Sequence, residues 1–267
     1  MTIEELYRIT EAPGKGFGVY TTTVINSGTT IMSEAPLLHL KYPLTRAGQH
    51  SIYFKVEFKR LREPQRTVFL QLSTGSDDRL FAAVAKCTNR FTSDVDTGTA
   101  LAIWETNRFD VTPAVKKGQE GEPLTEEAIF NHISRINHSC VPNAQYRWDG
   151  RASRMSVYAI KPIAKGEEIT ISYIKCCKPR DYRRKRLSVW GFTCICPACN
   201  DTTKTGRQHV RNRDRIADII DKVDNWMVEL QDEALREEEI VRVKHELEEV
   251  VRLFVEEEFV HSKSRKV

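Results

Sequence analysis

Three cysteines within six residues, Cys194, Cys196 and Cys199, constrain this chain more than any other feature. Their C-x-C-x-x-C spacing lets three thiols reach one ion, and a structural zinc takes four ligands, usually thiolates, in a tetrahedron. The fourth ligand must then come from another segment, which the metal ties to this one. Cys140 stands 54 residues before Cys194, inside the polar run Arg135-Ile-Asn-His-Ser-Cys-Val-Pro-Asn143. Cys176 and Cys177 are nearer in sequence and compete for the role, and His138 is a further candidate in place of Cys140. Seven cysteines, odd in number and clustered, suit a metal site better than a disulfide framework.

The compartment expected for the chain supports that reading. No apolar run approaches the ~18 residues of a membrane span, and the N-terminal "MTIEELYRIT" lacks the basic and apolar regions of a signal peptide. A nuclear and/or cytoplasmic protein is expected, with no membrane association, in a reducing environment where thiols stay free. Its 267 residues allow one large domain or two modest ones. The net charge of +4 is too small to argue nucleic-acid binding, so direct binding of that kind is not expected.

Along the chain, "GVYTTTVI" and "TTIMSEAPLL" are rich in β-branched residues and predict strands. The Ala-Pro-Gly-Lys-Gly run before them is a turn, and no βαβ pattern follows to make it a dinucleotide loop. From 46 to 104 the periodicity becomes helical, in "VEFKRLREPQRTVFLQL" and "DDRLFAAVAKCTNRF", with Pro64 separating two helices. Residues 116–127 are polar, with Gly and Pro, and predict a surface loop. Strands return in "MSVYAIKPI" and "EITISYI". The basic "DYRRKRLSVW" predicts a helix whose charges form a solvated face, with nuclear localisation or substrate contact as alternatives. After a polar linker, Ile216, Ile219, Val223, Met227 and Leu230 form one helical apolar stripe, and Ile240, Val243, Leu247, Val250 and Phe254 a second. Such helices pack on each other or on the body, or offer a coiled-coil surface to a protein partner.

The runs "GKGFGVY", "ETNRFDV", "RINHSCVPN", "GEEITISY" and "GFTCICPAC" occur here in the order found in SET-domain lysine methyltransferases. The chain resembles that family over about residues 8 to 200, most of all its SET-and-MYND branch and fungal relatives. No second cysteine-histidine cluster is present, so the MYND zinc module, and partner recruitment by it, are not carried over. The resemblance implies a mainly β fold of small sheets with a pseudoknot-like core, a SET domain over 1–175 with a helical insert at about 41–106, a zinc-bound post-SET segment over 176–200 and a C-terminal α-helical segment over 201–267. It implies one structural zinc held by Cys140, Cys194, Cys196 and Cys199. It further implies S-adenosylmethionine as cofactor, with S-adenosylhomocysteine as product. Lys15, Gly16, Phe17, Asn107, Asn137, His138 and Phe192 would bind it, the Asn137 side chain and the His138 backbone holding polar groups and Phe192 covering the adenine. Trp190 and Tyr173 would wall the lysine channel, in a protein or peptide substrate.

The chemistry accounts for so few titratable groups. Methyl transfer to an amine is an in-line displacement, and the protein mainly aligns the reactants and excludes water. The amine must be neutral although a free lysine has a pKa of ~10.4, and an apolar channel favours that form. Tyr173 ends the apolar run "EITISY", and its hydroxyl can orient the amine or the methyl group; the resemblance makes it the catalytic residue. Adjacent His138 and Ser139 cannot supply hydrolase geometry unaided, and no G-x-S-x-G elbow is present. The competing expectation is a zinc-stabilised interaction module of the same fold without catalysis.

Overall fold

The computed structural model describes residues 6–75, 95–113, 123–229 and 237–257. Cys87, the helix expected over 77–91, residues 116–122 of the expected loop and Leu230 lie outside them. The described residues form two compact units, one of residues up to 137, 143–171 and 189–192, the other of 138–142, 172–188 and 193 onward.

The first unit is built from small antiparallel sheets. Strands β1 (Tyr7–Ala12) and β2 (Gly16–Thr21) form a hairpin in register from Tyr7↔Thr21 to Ala12↔Gly16. Its turn follows from local chemistry. Pro13 presets one backbone angle and Gly14 takes the positive φ of 71° that the next position requires, while the Lys15 N–H reaches the Ala12 carbonyl at 2.9 Å. Strand β10 (Glu168–Ile171) pairs on β2 through Ile169↔Val19, and Asn137 of the two-residue strand β7 (Asn137–His138) lies at the far edge of this sheet.

A second sheet runs in the order β3 (Thr30–Glu34), β9 (Arg154–Ala159), β8 (Ala144–Asp149). The alternation read in "MSVYAI" is its inner face: Met155, Val157 and Ala159 are buried. A third runs β4 (Leu38–Pro43), β6 (Leu124–Ile129), β5 (Phe109–Asp110). Here the expectation of a loop through 127 is corrected, because a strand begins at Leu124. Pairing on β4 gives its acidic residues partners: His39 and Lys41 reach Glu126 at 3.0 Å each, Tyr42 donates to Glu127 at 2.7 Å, and Arg108 pairs with Glu127 as well. Partnered carboxylates can be buried, so polar composition did not exclude a strand.

Helices α1 (His50–Arg60), α2 (Glu63–Leu70) and α3 (Val95–Asn107) cover that sheet. Pro64 falls in the first turn of α2, where its missing N–H does no harm, and the break itself is at Leu61 and Arg62. Phe54, Phe58, Phe69 and Trp104 form one aromatic core, with Phe54 5.4 Å from Phe58 and 5.5 Å from Trp104 between ring centroids. Each such side chain contributes about 1.5–3 kcal/mol by burial.

The second unit carries the tail and the C-terminal helices: α4 (Arg180–Leu187), α5 (Lys204–Glu229) and α6 (Glu237–Glu256). Two expectations change here. Helix α4 is not wholly a solvated face, since Arg183 and Leu187 are buried. The second apolar stripe also divides: Val250 is buried and Val243 and Phe254 are partly buried, whereas Ile240 and Leu247 are about half exposed; Leu253, outside the stripe, is buried as well. On α5, Ile216 and Ile219 are buried as the pattern predicted. Thr203 caps α5, its hydroxyl oxygen accepting the Gly206 N–H at 2.9 Å. Gly206 is obligatory: a Cβ there would stand 1.6 Å from the Asn200 carbonyl oxygen and 3.0 Å from that of Pro197. The cysteine loop therefore rests directly on the backbone of this helix. Among the described residues no helix is long and apolar enough to cross a membrane.

Candidate active site

The tail folds as a turn around Cys196, whose carbonyl accepts the N–H groups of Cys199 at 2.8 Å and Asn200 at 3.0 Å. That turn, with Cys194 ahead of it, gathers three sulfurs. Cys140 joins them, and the four sulfur atoms lie within 4.8 Å of one another. Cys140 and Cys199 are 3.6 Å apart at sulfur, close to the roughly 3.8 Å edge of a tetrahedron with metal–sulfur bonds of ~2.3 Å and far from the ~2.05 Å of a disulfide. The donor set fits one metal ion with a closed shell. The rival ligands are not in this group: Cys176 borders it, hydrogen-bonded with Cys140 and with the Ser172 hydroxyl, the latter at 2.8 Å, and Cys177 is outside it. Hydrogen bonding with the Cys140 thiol holds Cys196 below the ordinary thiol range and lowers Cys199 to about 6, whereas hydrogen bonds with Cys176 and the other three cysteines, together with burial, push Cys140 up.

His138 joins this cluster to Tyr173. The Tyr173 backbone N–H donates to His138 Nδ1 at 3.0 Å, and Nε2 lies 3.2 Å from the Cys140 sulfur. Burial lowers the His138 pKa to about 4, so the ring is neutral. With Nδ1 accepting, its one proton is on Nε2 and points at sulfur. His138 is thus a partner of Cys140 and not its replacement among the ligands. The Tyr173 ring packs at 5.4 Å from the His138 ring, tilted by 49°.

In the first unit, two of the expected groups assemble. The Asn137 amide donates to the Phe17 carbonyl at 3.1 Å and to Glu168 Oε1 at 2.8 Å, and Lys15 pairs with Glu168 Oε2 at 2.7 Å. Gly18 permits this: a Cβ would stand 3.0 Å from both Asn137 Nδ2 and Glu168 Oε1. Gly16 has a positive φ of 74° and open space where its Cβ would be, and Phe17 is half exposed under the Arg135 guanidinium, 5.6 Å away. The turn leading to Asn137 is fixed by Glu34, which accepts the N–H groups of His132 at 3.0 Å and Ile133 at 2.8 Å. The second group centres on the end of α3. Asn107 is buried, and its amide donates to the carbonyls of Ser73 at 2.6 Å and Ile103 at 2.7 Å. Trp190 Nε1 donates to the Thr106 carbonyl at 2.9 Å. Phe192 is half buried in the same unit.

Three residues gained no role from sequence reasoning. Glu168 is the acceptor shared by Lys15 and Asn137. Asn143 donates to Glu167 at 3.0 Å and to the Glu168 carbonyl at 2.8 Å and accepts from the Thr170 N–H at 2.8 Å, which knits its loop to β10. Arg183 donates to the Cys199 sulfur at 3.5 Å. The first two stand inside quoted motifs, so their signal was present; Arg183 was hidden in a basic run.

The family model described as SET domain matches residues 16–174, more than half of the chain. Histone-lysine N-methyltransferase set5 of Schizosaccharomyces pombe is 27% identical over 198 residues, 73% of this chain and 51% of that protein. A SET and MYND domain-containing protein of Dictyostelium discoideum is 37% identical over 101 residues, 38% of this chain and 22% of that protein. The chain thus spans about half, or less, of the length of these relatives. The solved SET domain of LSMT bound to lysine and AdoHcy aligns at a TM-score of 0.47 and 14% identity, over 73% of this chain and 54% of that one.

Proposed function

The chain belongs to the SET-domain family, and on that footing we propose that it is an S-adenosylmethionine-dependent protein-lysine N-methyltransferase. The observation that carries this reading is the hydrogen-bonded series Tyr173–His138–Cys140, which ties the backbone of Tyr173, two residues beyond an apolar strand, to a four-sulfur cluster. Bound S-adenosylmethionine supplies a methyl group on a positively charged sulfur. Lys15, Gly16 and Phe17 of the hairpin turn, with Asn107, Asn137, His138 and Phe192, hold the cofactor. Trp190 and Tyr173 wall the channel for the substrate lysine, and the Tyr173 hydroxyl orients the amine lone pair. Glu168 keeps Lys15 and Asn137 in place. The soft, closed thiolate set of Cys140, Cys194, Cys196 and Cys199 suits zinc in a structural role, with no open position for substrate.

The substrate is a protein or peptide presenting a lysine, in a histone or another protein. The exposed apolar side of α6, with Ile240, Leu247 and Val251, is the surface for a protein partner. The organisation is a SET domain over 1–175, a post-SET segment over 176–200 and a C-terminal helical segment beyond, in a nuclear and/or cytoplasmic protein. The reading is tested by incubating the chain with labelled S-adenosylmethionine and a mixed protein extract and measuring label by mass. Label on lysine is the expected result. Absence of label, with no change in melting at millimolar S-adenosylmethionine or S-adenosylhomocysteine, would favour the interaction module. One observation supports that second reading: both Asn107 amide hydrogens are already bonded to carbonyls within the chain.

A further inference from the structure

Arg183 is fully buried, and among the described residues no carboxylate stands within ion-pair distance of it. Its guanidinium donates from Nη1 to the Lys178 carbonyl at 2.5 Å and from Nη2 to the Ala198 carbonyl at 3.0 Å and the Cys199 sulfur at 3.5 Å. The other fully buried arginine of this unit, Arg213, is different in kind. Its Nε donates to Glu257 at 2.6 Å, and its Nη1 donates to the backbone carbonyls of Cys140 and Cys176.

A guanidinium does not lose its proton in a protein, so Arg183 is a buried positive charge. A buried charge without an opposite charge is strongly unfavourable. Two carbonyl oxygens solvate Arg183 but do not neutralise it, and Asp214, the carboxylate that feels its charge, is exposed on α5 and makes no ion pair with it. The thiolate cluster has the converse difficulty. Four thiolates around a divalent ion carry two net negative charges, and three of the four cysteines are buried. We propose that Arg183 is the buried counter-ion of this cluster, donating an N–H to the Cys199 sulfur while its bond to the Ala198 carbonyl holds the metal loop. A hydrogen bond to a metal-bound thiolate withdraws charge from sulfur, which makes the sulfur less nucleophilic and its bond to the metal harder to break by protonation or oxidation. Residues that bond to metal ligands in this way set affinity and electronics alongside the ligands themselves.

The inference rests on the metal-site reading above, and the experiment separates the two. The full chain, Arg183→Gln and Arg183→Lys are each loaded with cobalt(II) in place of zinc. Three quantities are measured: metal stoichiometry, the energy of the sulfur-to-cobalt charge-transfer band, and the rate of metal loss to a chelator. Arg183→Gln removes the charge and is expected to lose metal about 10–100-fold faster, with the band moved to lower energy. Arg183→Lys keeps the charge without the planar fork; its band also moves, and its metal loss falls between the other two. If Arg183→Gln does not fold, the lysine variant carries the test. An unmoved band in the folded variant makes Arg183 a packing residue and overturns the proposal, even if metal loss quickens. A wild-type chain that binds no cobalt overturns this proposal and the metal-site reading together; full cobalt with an unmoved band overturns this proposal alone.

Discussion

The backbone N–H of Tyr173 is bonded to the imidazole of His138 at 3.0 Å, and the same ring faces the Cys140 sulfur at 3.2 Å. The residue proposed to align the methyl transfer is therefore joined through one imidazole to the four-sulfur cluster. Its position follows from the cluster as well as from the chain leaving β10, which ends at Ile171.

Tyr173→Phe keeps the ring and its packing on His138 and removes only the hydroxyl. Single-turnover methyl transfer is expected to fall about 10²-fold or more, equivalent to ~3 kcal/mol of barrier. Cofactor affinity, measured in parallel, should not change. Equal transfer rates at equal affinity would leave Tyr173 a structural residue.

Removal of the metal should disorder the tail before it affects the sheets of the first unit. Structural zinc contributes an apparent ~10–16 kcal/mol in small modules. Cys140→Ser is expected to lose zinc or to release it much faster to a chelator. Full zinc content with unchanged resistance to chelation would transfer the fourth ligand to Cys176 or Cys177.

Gly206→Ala probes the seat of the metal loop. The added methyl meets the Asn200 carbonyl at 1.6 Å, a backbone group that no rotamer change can move aside. Either α5 or the loop must shift, at a cost of about 1–3 kcal/mol or more. Thermal unfolding and zinc retention should both decline; a variant with unchanged melting would show that the loop and helix are not in this contact in solution.

Glu257→Ala removes the acid that pairs with fully buried Arg213 and also accepts from His209 at 2.9 Å and Asn212 at 3.1 Å. Breaking such a buried pair costs about 3–5 kcal/mol, because the other charge remains. Denaturant unfolding is the measurement. A loss below ~1 kcal/mol would mean that Arg213 is neutralised by other means.

What could be read from the sequence was the chemistry that sits close together along it. The cysteine spacing, the "NHSC" run and the strand that ends at Ile171, two residues before Tyr173, each carry their own local signal, and the alternation of Met155, Val157 and Ala159 marks a buried face directly. Arg183 could not be read in this way. Its neighbours Arg184, Lys185 and Arg186 have the same chemistry, and what buries Arg183 is the return of the chain at Ala198 and Cys199. Strand β6 was missed for a related reason, since its glutamates become tolerable inside a sheet only through partners on β4 and at Arg108. The split of the α6 stripe likewise depends on where α5 meets it, which a periodic pattern does not specify.

The separation of Cys140 from the three other cysteines of the cluster has a consequence in time. A ribosome adds roughly 5–20 residues per second, so Cys140 is synthesised about 3–12 s before Cys199. During that interval no four-sulfur site exists, and the imidazole that holds the Tyr173 backbone faces the Cys140 sulfur alone. A nascent chain can therefore complete the hairpin of β1 and β2 early, whereas the contacts of His138 with Tyr173 and Cys140 become ordered only once the cysteine loop has closed on α5.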